Sequence, residues 1–250
     1  MHSTPELPTE IVLIIQGFLP LQALLKARSV CRLWRSLIPG SHIPLARRRL
    51  LELYLRAIRS PAFLATRPQV HAHLKPFDRA RLLARLPPSV PEEFRTWVLE
   101  WPARAAIGHV WPGLHNGAHR KDTPPALHKD RGVNLLWQSN GHILSTLRVS
   151  APKHPGEGGW LETTMFSASG ARKNPHAAYA LLLDDACVEG WQRSRLLVLA
   201  GECAGADLSG RVYQIDGVHC RVDEPLAGSW VAFLQNELKR EELWLREHGC

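Results

Sequence analysis

Cysteine is scarce in this 250-residue chain: there are five, Cys31, Cys187, Cys203, Cys220 and Cys250, at wide and irregular spacing. An odd number without regular spacing does not make a disulfide framework, so the expectation is reduced thiols, mostly buried. Long apolar runs are missing as well. Nothing approaches the roughly 18 consecutive apolar residues of a membrane helix. The early run at 11–15 follows Glu6 and Glu10, where a secretory leader would carry positive charge. The expected location is therefore cytoplasmic and/or nuclear, with no membrane partner. Metal-ligand spacing is also lacking. Among thirteen histidines the close pairs are His71-x-His73 and His115-x3-His119, neither with a Cys-x2-Cys companion, and the second straddles the helix-breaking Asn116-Gly117. The glycine-rich stretch 153–159 lacks the Gly-Lys-Ser/Thr ending of a phosphate loop. No metal and no cofactor are expected.

What is present is ordinary for a globular protein: 45% apolar and 22% charged residues, with a net charge of +8. The densest basic run is Arg47-Arg48-Arg49, followed by Arg56 and Arg59. Leu45, Leu50, Leu51, Leu53 and Leu55 interleave with it, so the spacing predicts an amphipathic helix with a solvated arginine face rather than a nucleic-acid footprint. Up to residue 114 the apolar spacing is helical, and prolines fall where helices start, as in Pro91-Glu92-Glu93. Residues 115–132 are rich in turn formers and read as a linker. Beyond it strand-like runs fall at 134–137, 142–149, 161–167, 179–183, 196–200, 211–215 and 218–222, and a long helical pattern covers 229–248 with Ser229 as its N-cap. The expected fold class is α+β: a helical half, then a mainly antiparallel sheet closed by a long helix. The expected divisions are 1–40 (a three-helix module), 41–114 (a helical connector), 115–132 (the linker) and 133–250 (an α+β domain).

The first forty residues carry the sharpest signal. Thr9 is placed to cap a first helix through Ile11, Ile14, Ile15 and Phe18, Pro20 opens a second, and a third runs from Val30 to Leu37 before Pro39-Gly40. Three such helices bury too little area to stand alone. The series Leu7-Pro8-x-Glu10-Ile11-x3-Ile15, Phe18-Leu19-Pro20, Leu24-Leu25 and Val30-Cys31-Arg32-x-Trp34-Arg35 resembles the F-box. That resemblance implies docking onto the SKP adaptor, and through it the cullin scaffold, of an SCF (cullin-RING) ubiquitin ligase. Leu7, Pro8, Ile11, Ile15, Leu24, Leu25, Val30, Cys31 and Trp34 would then form the module's core and its adaptor-facing surface. The first interhelical loop departs from the family in lacking an acidic residue.

Farther on, Asp207 to Asp216 followed by Leu226 to Leu234 resembles the end of SUKH-type (SMI-KNR-like) domains over about 134–240. Some F-box proteins, many of them fungal, carry such a domain, and the stretch 43–111 looks like their connecting region. The resemblance implies a binding platform for an unidentified protein substrate. Tyr213, Trp230 and Phe233 have the spacing of core residues, whereas Trp137, Trp160 and Trp191 sit near turn residues and are candidates for target binding. Gly201-Glu202-Cys203-Ala204-Gly205 imitates a nucleophile elbow but leads toward another strand rather than a helix. Asp184-Asp185 reads as a strand terminator whose carboxylates point apart. The chain is thus expected to be a substrate adaptor and not an enzyme; the alternative is a SUKH-type interaction module that recruits no ligase.

Overall fold

In a computed structural model, residues 7–114, 133–137, 143–150, 160–167, 178–188, 191–200, 202–203, 206–216 and 219–248 are described. The helical half holds α1 (Thr9–Phe18), α2 (Leu21–Val30), α3 (Arg32–Leu37), α4 (Leu45–Ala57), α5 (Pro61–His73), α6 (Arg79–Ala84) and α7 (Glu92–Glu100). Proline marks the starts: Pro8, Pro20, Pro44 and Pro91 are N-caps and Pro61 is the first helical residue. Pro8, not Thr9, therefore caps α1, and Thr9 is already helical. Val30 closes α2 instead of opening α3. Cys31 is extended (φ −158°, ψ 172°) and its sulfur accepts the Trp34 N–H at 3.4 Å, which starts the next helix.

Helix α7 organises this half through three charged contacts. Glu100 accepts the Leu21 N–H at 2.7 Å, filling an orphan donor at the start of α2, and takes a bidentate grip from Arg47 of α4 at 2.7 and 2.8 Å. Glu93 accepts the Val231 N–H at 3.0 Å and pairs with Arg49 at 2.7 Å. Arg79 donates to the carbonyls of Val98, Leu99 and Trp101 at 2.9 to 3.0 Å, covering the last turn of α7. The basic run of α4 is thus not a merely solvated face. Arg47 and Arg49 meet these carboxylates, Arg48 donates to Pro39 and Ser41 carbonyls, and Arg56 reaches Glu242 at 3.2 Å.

The second half contains β1 (Val133–Asn134), β2 (Ile143–Ser150), β3 (Trp160–Ser167), β4 (Ala178–Val188), β5 (Trp191–Ala200), β6 (Glu202–Cys203), β7 (Ala206–Asp207), β8 (Val212–Asp216), β9 (His219–Arg221) and α8 (Trp230–His248). Every pairing among the described residues is antiparallel, and the architecture is α+β. Following the partners, β4 pairs with β2, β2 with β3, β3 with β9, β9 with β8, β8 with β5, and β5 returns to β4, so six strands close into a ring. Ser229 caps α8 as its spacing predicts, its hydroxyl accepting the Ala232 N–H at 3.2 Å.

Two expectations about strands need correction. The run 134–137 is a two-residue strand followed by a 3₁₀ turn, Leu135–Trp137, because Asn134 bends the chain. Its amide donates to the Trp111 and Leu114 carbonyls at 2.8 and 3.0 Å, and its oxygen accepts the Leu136 N–H at 3.1 Å. Asp184-Asp185 does not terminate β4, which continues to Val188. The linker 115–132 lies outside the described residues.

Both faces of β4 and β5 are buried, which explains their unbroken apolar runs. Inside the ring, Leu161, Ala180, Leu196, Val198, Tyr213 and Ile215 pack together, and the Tyr213 hydroxyl donates to the Val222 carbonyl at 3.0 Å. Outside it, Leu181, Leu183, Leu197 and Leu199 join a core that continues through α8 into the helices as far as Leu21 and Leu24. Aromatic rings fill its centre. Trp97 meets Trp111 and Trp230 edge to face, each with centroids 4.8 Å apart, and Phe94 meets Trp230 at 4.9 Å. At Gly113 a Cβ would fall 2.3 Å from the Lys75 carbonyl oxygen, so only glycine allows that backbone approach.

Candidate functional site

The structure divides the F-box-like residues into those that hold the module down and those that face outward. Leu24 is fully buried in the common core, so it supports the surface and cannot itself touch a partner. Leu25 is half-buried against the same core. Ile15 and Trp34 are half-buried, and the Trp34 carbonyl accepts the buried Gln16 side-chain amide at 2.9 Å. Leu7, Pro8, Ile11, Val30 and Cys31 are exposed. Cys31 therefore departs from the expectation of mostly buried thiols, its sulfur being spent on the start of α3.

Two exposed residues join this surface that the sequence reading did not assign to docking. Ile14 and Phe18 are 55% and 83% exposed, the latter the most exposed large apolar side chain of those described. Ile11, Ile14 and Phe18 recur at three- and four-residue steps, one stripe of α1, and the exposed Leu7 precedes the helix's N-cap. Val12 and Gln16, at the complementary positions of α1, are the ones that bury. Val30 and Leu33 on the neighbouring helices are 65% and 47% exposed. Large apolar side chains are thus exposed on all three helices of one small module.

A second constellation lies inside the molecule, where the helices, the ring and α8 meet. Asp184 and Arg195 are directly opposite in the β4–β5 ladder. A register shift between Leu182 and Asp184 turns both Leu183 and Asp184 toward the helices. The Arg195 Nε donates to both Asp184 oxygens at 3.0 and 2.9 Å, and its Nη2 makes a further short contact to the same carboxylate. Its Nη1 donates to Glu237 of α8 at 2.7 Å. His109 Nε2 lies 2.8 Å from Asp184 Oδ2 and 3.4 Å from Arg195 Nη2. The Gly108 N–H donates to Glu241 at 3.1 Å; Gly108 has φ +64°. Burial alone would push the Asp184 carboxyl up, but the Arg195 guanidinium and the His109 ring outweigh it and hold the group well below the carboxylate range. Burial likewise pulls Arg195 down, and the Glu237 and Asp184 charges overcome it and raise it.

Arg67 of α5 extends this cluster. It donates to the Ala106 and Phe63 carbonyls at 2.6 and 2.8 Å and lies over the Phe63 ring. Burial pulls its guanidinium down to about 10, with the Glu241 charge opposing. The arrangement is a set of paired charges that ties β4, β5, α8 and the loop at His109 together.

Other candidates are dispersed. Trp137 is half-buried in the turn after β1. Trp160 and Trp191 open β3 and β5, paired in the ladder with Arg221 and Val188; their side chains lie outside the described residues. Tyr213, Trp230 and Phe233 are fully buried, in keeping with their core spacing. After Cys203 the chain turns into the short strand β7, with Cys203 paired to Ala206, not into the helix that a nucleophile elbow requires. His71 bonds the Arg104 carbonyl at 3.1 Å, and the pair His115 and His119 lies outside the described residues. Among the described residues there is no group of three metal-ligating side chains, and no helix is long and apolar enough to cross a membrane.

Against known families, residues 4–46 match the F-box-like model. The match spans α1 to α3 and the start of α4, the segment that carries the exposed apolar stripe. No curated protein and no solved structure matches the chain. The SUKH-type and fungal resemblances accordingly rest on their sequence motifs alone.

Proposed function

We propose that this chain is a substrate-recognition adaptor of an SCF-type ubiquitin ligase. It docks the SKP adaptor, and through it a cullin, by the outward face of α1 to α3, and presents a protein target on its second half. The observation that carries the reading is the α1 stripe Ile11, Ile14 and Phe18, with Leu7 exposed just before the helix, on a module that matches the F-box-like family. Helix-in-groove docking uses such anchors at helical spacing. Pro8, Ile15, Val30, Cys31 and Trp34 border or support that contact, and Leu24 and Leu25 fix the module to the rest of the chain. On this reading the chain carries no catalytic centre, and ubiquitin transfer belongs to other subunits. The division into module (1–40), connector (41–114), linker (115–132) and target-binding domain (133–250), with Trp137, Trp160 and Trp191 toward the target, belongs to the same proposal.

Ile11→Asp/Ile14→Asp changes two exposed side chains and leaves the core intact, so it separates docking from folding. Purified SKP adaptor should be retained by the unaltered chain and lost by the double variant, with unchanged thermal unfolding. Equal retention by both would refute the docking face. A second reading, a SUKH-type module whose helical start merely caps its own domain, draws on the burial of Leu21 and Leu24 and on the Glu100 contact to Leu21. It expects no retention by either chain.

A further inference from the structure

The module that carries the apolar stripe is also one-signed in charge. Between Glu10 and Glu52 the sequence has no aspartate or glutamate, and it has seven cations: Lys26, Arg28, Arg32 and Arg35, then Arg47, Arg48 and Arg49. The last three are occupied by carboxylates and carbonyls of the fold, through Glu100, the Pro39 and Ser41 carbonyls, and Glu93. The first four meet no carboxylate among the described residues. Arg35 Nε instead donates to the Arg28 carbonyl at 3.0 Å, which folds the Arg35 guanidinium back onto the end of α2, close enough for its charge to act on that of Arg28. Burial, and then the like charges of Arg35 and Arg59, pull the Arg28 guanidinium down, as crowding among cations requires. Val30 and Leu33, both exposed, lie in sequence among these cations. The corner is thus apolar and positive at once, and its charges repel one another until something negative arrives.

We propose that the α2–α3 corner binds a carboxylate-rich segment of the partner protein that covers the F-box-like module. This names the chemistry of that partner and rests on the docking reading above. The mixed surface favours a protein: the apolar side chains Val30 and Leu33 offer nothing to a phosphate backbone, whereas a segment carrying both carboxylates and apolar side chains satisfies both parts. The contribution is mainly to the speed of encounter, since exposed charges steer association more than they hold a finished complex.

The test measures association of the full chain with purified SKP adaptor–cullin complex, by biolayer interferometry, at low and high salt. The unaltered chain should associate about tenfold more slowly at about 500 mM than at about 50 mM NaCl, because screening shortens the reach of the corner's field. Lys26→Glu/Arg32→Glu should already be slow at low salt and should lose most of that salt dependence. Arg81→Glu/Lys239→Glu, the same charge change at exposed positions elsewhere, should leave the salt dependence in place. The proposal is overturned if the Lys26/Arg32 variant keeps the unaltered chain's rates, or if it loses only binding to a single-stranded RNA oligonucleotide while adaptor binding stands. Failure of the unaltered chain to bind the adaptor at either salt would instead remove the docking reading, and this inference with it.

Discussion

At the scale of single residues, the decisive groups are charges that the fold buries. Arg195 holds Asp184, Glu237 and, through Asp184, His109 in one buried cluster. Removing one member leaves its partners charged and desolvated, so Arg195→Met should lose about 3–5 kcal/mol of unfolding free energy in urea titrations. Asp184 adds a pH signature. Its carboxyl is depressed in the folded state, so its contribution is complete above the ordinary aspartate value of about 3.9 and is lost as the pH falls below it. Urea midpoints taken from pH 5 down to about pH 2.5 should fall less steeply for Asp184→Asn than for the unaltered chain. Gly113→Ala should destabilise by about 2–4 kcal/mol in the same assay, since its Cβ would strike the Lys75 carbonyl, which belongs to backbone and has little room to move. None of this could be read from the sequence. Asp184 is 11 residues from Arg195, and the rest of the cluster comes from a connector loop and the last helix. Nothing in Asp184-Asp185 itself separates a strand end from a buried ion pair.

At the scale of elements, helix starts are fastened by carboxylates from elsewhere in the chain. Glu100 serves the start of α2 and Glu93 the start of α8, seven residues apart on α7. Glu100→Ala should therefore raise amide exchange chiefly in the first turn of α2, and Glu93→Ala chiefly in the first turn of α8. Each loses about 1–2 kcal/mol of local protection, the usual worth of a cap. Exchange that rises equally in both helices for either change would dismiss the separate-cap account. The elements themselves were largely legible. Proline at the helix starts, the apolar runs of β4 and β5, and Ser229 before α8 all fall where local rules place them. Local rules failed where distant groups decide. Asn134 breaks an apolar run because its amide is engaged by Trp111 and Leu114. The arginines of α4 read as a solvated face because their acceptors lie far away in sequence.

At the scale of the whole molecule, one apolar core runs from α2 through α4, α7 and α8 to the outer face of the strand ring. Trp97, Trp101, Trp111 and Trp230 all lie within it. Tryptophan fluorescence and far-ultraviolet dichroism should accordingly report one coincident unfolding transition, and two separated transitions would contradict a shared core. The ring closure was not visible in sequence, since it depends on β5 meeting both β4 and β8 and on the short β9 bridging β3 and β8. The outward stripe of α1 was only partly visible. Ile11 announces itself through the F-box-like motif, but the exposure of Phe18 emerges only when Val12 and Gln16 are seen to take the inner face.

The central claim is that α1 to α3 form a surface built to be covered. Backbone amide exchange of the full chain, measured with and without saturating purified SKP adaptor, tests it most directly. The account predicts new protection concentrated in residues 7–36, with β4, β5 and α8 unchanged. Protection confined to the strand ring, or no change anywhere at saturating adaptor, would contradict it.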